Sequence, residues 1–184
     1  MTVAAAQAEV RDVYLDGAVG QAVSAFIWLA SAAAGSWIGV RPAALVVVVG
    51  GAFIFPLTQA ILRAAGRRAD LDAANPLRGL AMQIAFTVPL MLPVAGAAAL
   101  YRIEWFYPAV MVVVGAHYLP FVFLYGMPAF AVLAGALVAG GLGLGWFGIG
   151  GFATGGWATG IALLAFAAFA ESRRRARAPG AIVA

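Results

Sequence analysis

The sequence predicts an all-α integral membrane protein, a six-helix bundle built from three helical hairpins. Hydrophobic residues make up 65% of the 184 residues and charged residues only 10%. A soluble domain instead has about 45–50% apolar and about 25% charged residues. The mean hydropathy is +0.99, and a soluble chain of this length leaves too much surface exposed to hide that apolar content. A soluble enzyme, a disordered chain and a nucleic-acid binder are therefore excluded.

Six apolar segments follow one another, and each has close to the roughly 20 residues that cross the hydrocarbon core of a bilayer. They leave residues 1–16 as a cytoplasmic N-terminal segment, 17–170 as one transmembrane domain and 171–184 as a basic cytoplasmic tail. Short turns join them in three pairs, which predicts the hairpins. The predicted spans are Gly17–Gly39, Ala43–Leu62, Gly79–Leu100, Tyr107–Tyr125, Pro128–Phe147 and Phe152–Ala170.

Charged residues, prolines and glycines mark the ends of these segments. The first span ends before Arg41 and the second ends before Arg63. Pro76 suits the turn that enters the third span, because proline is tolerated at the start of a helix. The aromatic stretch 101–107, typical of the lipid headgroup region, separates the third and fourth spans. A glycine-rich turn at 148–151 joins the fifth to the sixth.

The positive-inside rule predicts the orientation. The chain has eleven basic residues, all arginine, and an N-in arrangement leaves only Arg41 and Arg102 outside. An even number of spans then places both termini in the cytoplasm. The alanine- and arginine-rich composition suggests a bacterial inner membrane. A basic cluster after the last span anchors this topology and attracts anionic lipids. It comprises Arg173, Arg174, Arg175 and Arg177.

A polar layer in the cytoplasmic half of the first four spans is the candidate ligand-binding site. At a rise of 1.5 Å per residue, its polar members lie about 5–12 Å from the cytoplasmic ends of the spans. Unpaired polar groups in hydrocarbon are costly, so these side chains should face the bundle. They either line a pocket or join helices by hydrogen bonds. With the neighbouring tryptophan, the candidates are Gln21, Ser24, Trp28, Gln59, Gln83, Thr87, His117 and Tyr118.

The first span carries a stripe whose members recur at spacings of three and four residues. This heptad-like pattern predicts a face buried against other helices. Trp28 in the stripe either fills space or forms the wall of a pocket. The stripe comprises Gly17, Gln21, Ser24, Trp28, Ser31 and Gly35.

His117 is the only histidine, and no Asp or Glu lies within a predicted span. It either handles a proton or a substrate group, or it is a neutral hydrogen-bond partner. With no cysteine and no second histidine, the sequence predicts neither a metal site nor a cofactor. A serine–histidine pair of Ser24 and His117 lacks an evident oxyanion donor. We therefore expect no enzymatic activity.

Prolines and glycines shape the remaining spans. The prolines should interrupt the second to fourth spans, either around a transport site or as simple bends; they are Pro56, Pro89, Pro93 and Pro120. Small residues in the last two spans predict close packing in a tight hairpin or at a dimer face. These glycines are Gly141, Gly145, Gly151, Gly155, Gly156 and Gly160.

Several short motifs stand out along the chain. They are Tyr14, Gly17, Gly20-Gln21, Ser24 and Trp28 within Arg11–Trp28, then Phe55-Pro56-Leu57 and His117-Tyr118. With these motifs the chain resembles a bacterial family of small polytopic membrane proteins known only as a domain of unknown function. The resemblance extends over nearly the whole chain and implies no catalytic residues. It directs attention to Gln21, Ser24, Trp28, Pro56, His117 and Tyr118.

The sequence thus predicts a small-molecule transporter, channel or ligand-binding membrane protein whose polar site lies in the cytoplasmic half of spans 1–4. The alternative is a non-catalytic membrane partner or assembly subunit. In that case the glycine-rich hairpin of spans 5 and 6 would pack against another protein or a second copy of the chain.

Overall fold

The computed structural model describes residues 1–177. Within them the chain forms seven α-helices and no strand. Short 3-10 turns at Leu15–Gly17 and Ile103–Trp105 precede the second and fifth helices. The helices are α1 (Val3–Val13), α2 (Ala18–Trp37), α3 (Val40–Ala64), α4 (Arg78–Tyr101), α5 (Phe106–Tyr125), α6 (Ala129–Phe147) and α7 (Thr154–Arg177). Residues 178–184 of the predicted tail lie outside the described residues.

Five of these segments are long and apolar enough to cross a membrane. This finding supports a membrane protein. The sixth predicted span lies within α7, which is not among the five; its first turns contain threonine and glycine, and its last turns contain four arginines. Six spans and their orientation therefore stay predictions. The five segments are Leu15–Trp37, Val40–Ala64, Arg78–Tyr101, Ile103–Tyr125 and Ala129–Phe147.

Two helices, α2 and α5, organise the bundle. The first packs against α3 and α7, and the second packs against α4 and α6. Adjacent helices therefore pair as predicted in α2–α3 and α4–α5, but α6 and α7 have their main contacts with α5 and α2 rather than with each other. The outermost helices are α3 and α4, with only 17% and 11% of their most apolar stretches buried.

The predicted packing glycines mostly lie at these helix contacts. A Cβ added at Gly141 would lie 2.7 Å from the carbonyl oxygen of Pro108 in α5, and Gly145 lies over the same proline. A Cβ at Gly160 would lie 2.7 Å from Leu29 in α2. Because no residue larger than glycine fits at 141 or 160 without a shift, these positions fix the approach of α6 to α5 and of α7 to α2.

The remaining predicted glycines divide between a close contact and open space. Added Cβ atoms at Gly155 and Gly156 would each lie 2.8 Å from the side chain of Tyr107. Gly151 precedes α7, and a Cβ there would meet no atom within 4 Å. The close pair therefore sets the distance between α7 and α5.

The helices run through their prolines without a break. Pro56 lies inside α3, Pro89 and Pro93 inside α4, and Pro120 inside α5, and each of these helices is continuous. The prolines therefore do not end these helices, and the bends predicted at them stay a prediction. The neighbouring turns of a long apolar helix keep their own hydrogen bonds, so the loss of one bond at each proline does not unwind it.

The N-terminal segment folds back onto one end of the bundle. Thr2 caps α1, because its hydroxyl accepts a hydrogen bond from the amide of Ala5. The side chain of Gln7 donates to the carbonyl of Phe123 at 2.6 Å, and Arg11 donates to the carbonyl of Tyr125 at 2.5 Å. Both carbonyls belong to the last turn of α5, where backbone carbonyls lack the usual partner four residues ahead, and that of Phe123 also accepts from the amide of Gly126 at 3.2 Å. The segment is therefore docked at the end of the bundle where α5 finishes.

Candidate functional site

A line of polar and aromatic side chains runs between α2 and α5, and we call it the α2–α5 seam. The stripe predicted on the first span faces the bundle, since Gly17, Gln21, Ser24, Trp28 and Ser31 are all buried. Large side chains fill the space between the two helices. The seam comprises Gln21, Ser24, Trp28 and Ser31 of α2 with Tyr107 and Tyr118 of α5.

One end of the seam is closed by a complete hydrogen-bond group. The hydroxyl of Ser31 donates to the carbonyl of Ala43 in α3 at 2.7 Å and lies 2.6 Å from the hydroxyl of Tyr107. Both Ser31 and Tyr107 are fully buried. Trp28 packs beside them, with its ring 5.9 Å from that of Tyr107. This end therefore joins α2, α3 and α5 and uses the hydroxyl protons of both Ser31 and Tyr107 within the bundle.

The other end of the seam holds a polar group that is not fully paired. Tyr118 is 3% exposed, and its phenol lies beside the side chains of Gln21 and Ser24. Gln21 is 4% exposed, yet its carbonyl oxygen, Oε1, has no hydrogen-bond partner among the described residues. A buried acceptor without a partner costs free energy unless a water or ligand supplies a donor.

His117 extends this group toward α4. Its ring lies 5.5 Å from that of Tyr118 and 5.0 Å from that of Phe121. It also lies against the backbone of Ile84 in α4. The buried Nδ1 atom has no hydrogen-bond partner in residues 1–177. A neutral imidazole donates through one nitrogen and accepts through the other, so His117 adds a second unpaired polar atom next to Tyr118, a donor or an acceptor according to its tautomer.

The structure does not bring the whole predicted polar layer together. Gln59 lies near the end of α3 and donates to Asp70 at 3.0 Å. Gln83 is exposed on the outer face of α4, and the hydroxyl of Thr87 bonds only to the carbonyl of Gln83, at 3.4 Å. The candidate site is therefore limited to α2 and α5, with His117 turned toward α4.

Sequence reasoning missed Thr159 in α7. It is fully buried, and its hydroxyl has no hydrogen-bond partner in the described part of the chain. A threonine among glycines and alanines gives no signal of this kind, because its burial depends on the packing of α7 against α2.

Sequence reasoning also missed a network of charged side chains at the end of the bundle that carries α1, which we call the basic end. Glu9 in α1 pairs with Arg68 and accepts hydrogen bonds from the amide of Asp72 at 2.7 Å and the side chain of Asn75 at 2.8 Å. Asn75 is 3% exposed and also donates to the carbonyl of Ala6. The loop between α3 and α4 is thus fastened to α1.

The first turn before α2 brings a carboxylate to the end of α7. Asp16 is 3% exposed and accepts a hydrogen bond from Arg177 at 3.2 Å. Leu15 and Asp16 have φ angles of 52° and 54°, and Gly17 has 86°. Positive φ values at non-glycine residues are costly and usually have a structural or functional reason. Here they turn the chain so that Asp16 reaches α7.

The side chains of the seam offer hydrogen-bonding groups. No group of three or more His, Asp or Glu side chains within residues 1–177 is placed to hold a metal ion. The inner end of the seam instead offers an amide, two hydroxyls and an imidazole, which suit a polar, uncharged ligand group.

The model of a family described as a family of unknown function (DUF7010) matches residues 3–171 of the chain. The chain belongs to this family. The family resemblance drawn from the sequence motifs is thereby confirmed. The match of this DUF7010 protein covers α1, the whole α2–α5 seam and most of α7, and it ends before Arg173. No curated protein and no solved structure matches the chain.

Proposed function

We propose that this DUF7010 protein crosses a bacterial inner membrane six times, with α7 as the sixth span and both termini in the cytoplasm. The network of α1, the loop after α3 and the end of α7 supports this proposal, because it places most of the arginines at one end of the bundle. Reporter fusions after Arg177 and after Trp37 test it. A cytoplasmic signal at the first and a periplasmic signal at the second are expected, and two signals on the same side would contradict it.

We further propose that the protein is a non-catalytic ligand-binding membrane protein, with transport of that ligand as its use. The site is the inner end of the α2–α5 seam. The observation that carries the proposal is the pair of buried polar atoms, Oε1 of Gln21 and Nδ1 of His117, both without a hydrogen-bond partner within residues 1–177 and both next to Tyr118. The amide oxygen accepts a hydrogen bond and an imidazole nitrogen accepts or donates one according to its tautomer, so the pair favours a ligand that donates and accepts, such as a small alcohol, amide or amine.

The hydrogen bonding at the Tyr107 end of the seam indicates the end from which a ligand would enter. Ser31 donates to the carbonyl of Ala43 and Tyr107 donates to Ser31, so neither hydroxyl has a free donor toward the seam. A ligand would therefore enter from the basic end, where Gln21 lies one turn inside α2, and would stop at Trp28. The remaining polar candidates at Gln59, Gln83 and Thr87 lie outside this route.

Cysteine labelling tests the proposed site, since the chain has no cysteine of its own. Ser24→Cys should react with a small charged thiol reagent added from the cytoplasmic side. Ser31→Cys, at the closed end of the same helix, is the matched control and should stay unreactive. Gln59→Cys, which lies near the end of α3, should react fast. Equal protection of positions 24 and 31 would contradict an accessible site.

A second candidate function, as a membrane partner or homo-oligomer, is favoured by the outer face of α6. Ala131, Gly135, Ala139 and Gly143 recur every four residues on this helix. A Cβ added at Gly135 or Gly143 would meet no atom within 4 Å. Repeated small residues allow membrane helices to approach closely. This face differs from the glycines named from the sequence, most of which already pack against α5 and α2.

Oxidative crosslinking in native membranes tests the second candidate. Gly135→Cys should form a disulfide-linked dimer if a second copy packs on this face. Leu164→Cys, exposed on α7, is the control and should stay monomeric. A monomer for both variants would contradict self-association through α6.

We also propose that the arginines at the end of α7 attract anionic lipids. The side chain of Arg175 is 76% exposed, and each basic residue near an anionic surface contributes about 1 kcal/mol. Glu171 pairs with Arg174 and Arg175 and offsets part of this charge. Arg173 lies beside Phe169, which holds its guanidinium near the end of the apolar part of the helix.

A further inference from the structure

We propose that a cavity at the basic end binds a phosphate-bearing anion. The cavity has a volume of about 240 Å³ and lies where α1, the Leu15–Gly17 turn, the loop after α3 and the end of α7 meet. It is separate from the α2–α5 seam and does not depend on the function proposed for that seam. Its charged lining consists of Arg11, Arg67, Arg174 and Arg177 with Asp12 and Asp16.

The charge of the lining favours an anion. Four guanidinium groups face two carboxylates, and Glu171 also pairs with Arg174, so three carboxylates offset four arginines and leave an excess of one positive charge. A phosphate monoester carries about −1.5 to −2 charges near neutral pH and has three strong acceptor oxygens. The cavity is smaller than the roughly 300–1,000 Å³ of pockets that enclose a whole drug-sized ligand. It therefore suits a phosphate group rather than the complete molecule that carries it.

The arginines are held in place but retain free donors. Arg11 uses Nη1 on the carbonyl of Tyr125, and Arg67 uses Nη2 on Asp12. Arg177 uses Nη1 on Asp16. Within residues 1–177, the second terminal nitrogen of each of these guanidinium groups makes no hydrogen bond. Fixed guanidinium groups with free N–H pairs are suited to bind phosphate oxygens through two parallel hydrogen bonds.

The turn before α2 supplies a second observation at the same place. The cavity is lined by Leu15 and Asp16, the two non-glycine residues with positive φ. Such strain persists where the surrounding structure holds it, and it clusters at ligand sites. The turn places the buried carboxylate of Asp16 against Arg177 and so orients that arginine at the cavity. A general attraction of lipids to the end of α7 needs no such arrangement.

The phosphate can belong to a lipid headgroup or to a soluble compound, and two binding measurements distinguish them. Delipidated full-length protein in neutral detergent is titrated with phosphatidylglycerol against phosphatidylcholine, and separately with inorganic phosphate against chloride. Arg67→Gln is the test variant and Arg41→Gln the matched control, because each removes one positive charge, only Arg67 lines the cavity, and Arg41 lies at the start of α3, outside the arginine cluster of α7.

We expect Arg67→Gln to weaken binding about fivefold, the equivalent of about 1 kcal/mol per basic residue, and Arg41→Gln to change it less than twofold. Phosphatidylglycerol binding alone identifies a lipid headgroup, and binding of inorganic phosphate with the same dependence on Arg67 identifies a soluble phosphate compound. Equal effects of the two variants, or binding of neither ligand to the unaltered protein, would overturn the proposal.

A second variant keeps the test valid if Arg67→Gln is poorly folded. Asp12→Asn removes a competing carboxylate whose side chain is 81% exposed, and it leaves Asp16 in place to orient Arg177. It should bind the same anion more tightly than the unaltered protein. Weaker binding by Asp12→Asn with an unchanged melting temperature would contradict the proposed role of the excess positive charge.

Discussion

Replacement of Gly156 by alanine should destabilise the bundle more than a methyl group added at any other position of α7 that faces α5. The new Cβ would lie 2.8 Å and 2.9 Å from ring atoms of Tyr107 and 3.0 Å from the Cβ of Ala32. Tyr107 cannot simply move aside, because it is fully buried and its ring lies 5.0 Å from that of Phe152. Either α7 moves away from α2, or Tyr107 leaves Ser31.

The size of the effect follows from these two costs. Overpacking of a dense core costs about 1–3 kcal/mol. Loss of the 2.6 Å contact between Ser31 and Tyr107 adds about 0.5–1.5 kcal/mol. We expect Gly156→Ala to lower the free energy of unfolding by about 2–4 kcal/mol.

Reversible unfolding in mixed micelles, followed by tryptophan emission, measures this change. Gly135→Ala on the open face of α6 is the matched control, since its new Cβ meets no atom within 4 Å. It should change the free energy of unfolding by less than about 0.5 kcal/mol. Equal stability of the two variants would refute the close packing of α7 on Tyr107.

Three further predictions concern the hydrogen bonds of the seam and the charges of the basic end. Ser31→Ala should lower the melting temperature more than Tyr107→Phe, because only the first leaves a buried hydroxyl and the carbonyl of Ala43 without their bond; the reverse order would contradict the hydrogen-bond group. Asn75→Ala removes hydrogen bonds to α1 that together contribute about 2 kcal/mol. Amide exchange in α1 should therefore accelerate about 30-fold, while amide exchange in α5 should not change. Unchanged exchange in α1 would show that the loop does not hold this helix. Hydrogen bonds from Arg174 and the next arginine lower the pKa of Glu171 from 4.5 to about 2, so the stabilisation from this pairing is complete above pH 4.5 and is lost as the pH falls toward 2. Amide exchange of the last turn of α7 should become faster over that interval in the unaltered protein but not in Glu171→Gln. Identical pH profiles of the two proteins would contradict the pairing.

The helices of this protein follow directly from the sequence, whereas their neighbours do not. Long apolar segments bounded by arginine, proline and glycine predicted α2 to α6 to within three residues at each end, because chain length and hydropathy are local properties. They did not predict α1, and α7 continues seven residues beyond its predicted end. The partner of each helix depends on which faces carry close contacts. Glycine at 155 and 156 predicted close packing, but only the structure shows that the contact is Tyr107 of α5 rather than the adjacent helix α6.

The sequence predicted only part of the candidate site, because it does not show which faces of the helices carry close contacts. The stripe through Gln21, Ser24 and Trp28 has a helical period, so its burial could be read from spacing. Gln83 lies at a similar predicted depth, but α4 is covered mainly by α5 and its other faces are exposed. Depth alone therefore could not tell an inward side chain from an outward one.

The basic end could not be predicted because its contacts join distant parts of the chain. Glu9 and Asn75 are 66 residues apart, and Asp16 and Arg177 are 161 residues apart. The positive φ values at Leu15 and Asp16 also could not be predicted, because both residue types disfavour that backbone conformation. The docking of α1 thus depends on the whole fold, whereas the sequence pattern predicts each helix separately.

A high-resolution map of the purified protein in lipid nanodiscs tests the central claim most directly. The account predicts density that is not protein within about 3 Å of Oε1 of Gln21 or Nδ1 of His117, at the inner end of the α2–α5 seam. A dry seam, in which both atoms have found protein partners and Tyr118 fills the remaining space, would contradict a ligand site there.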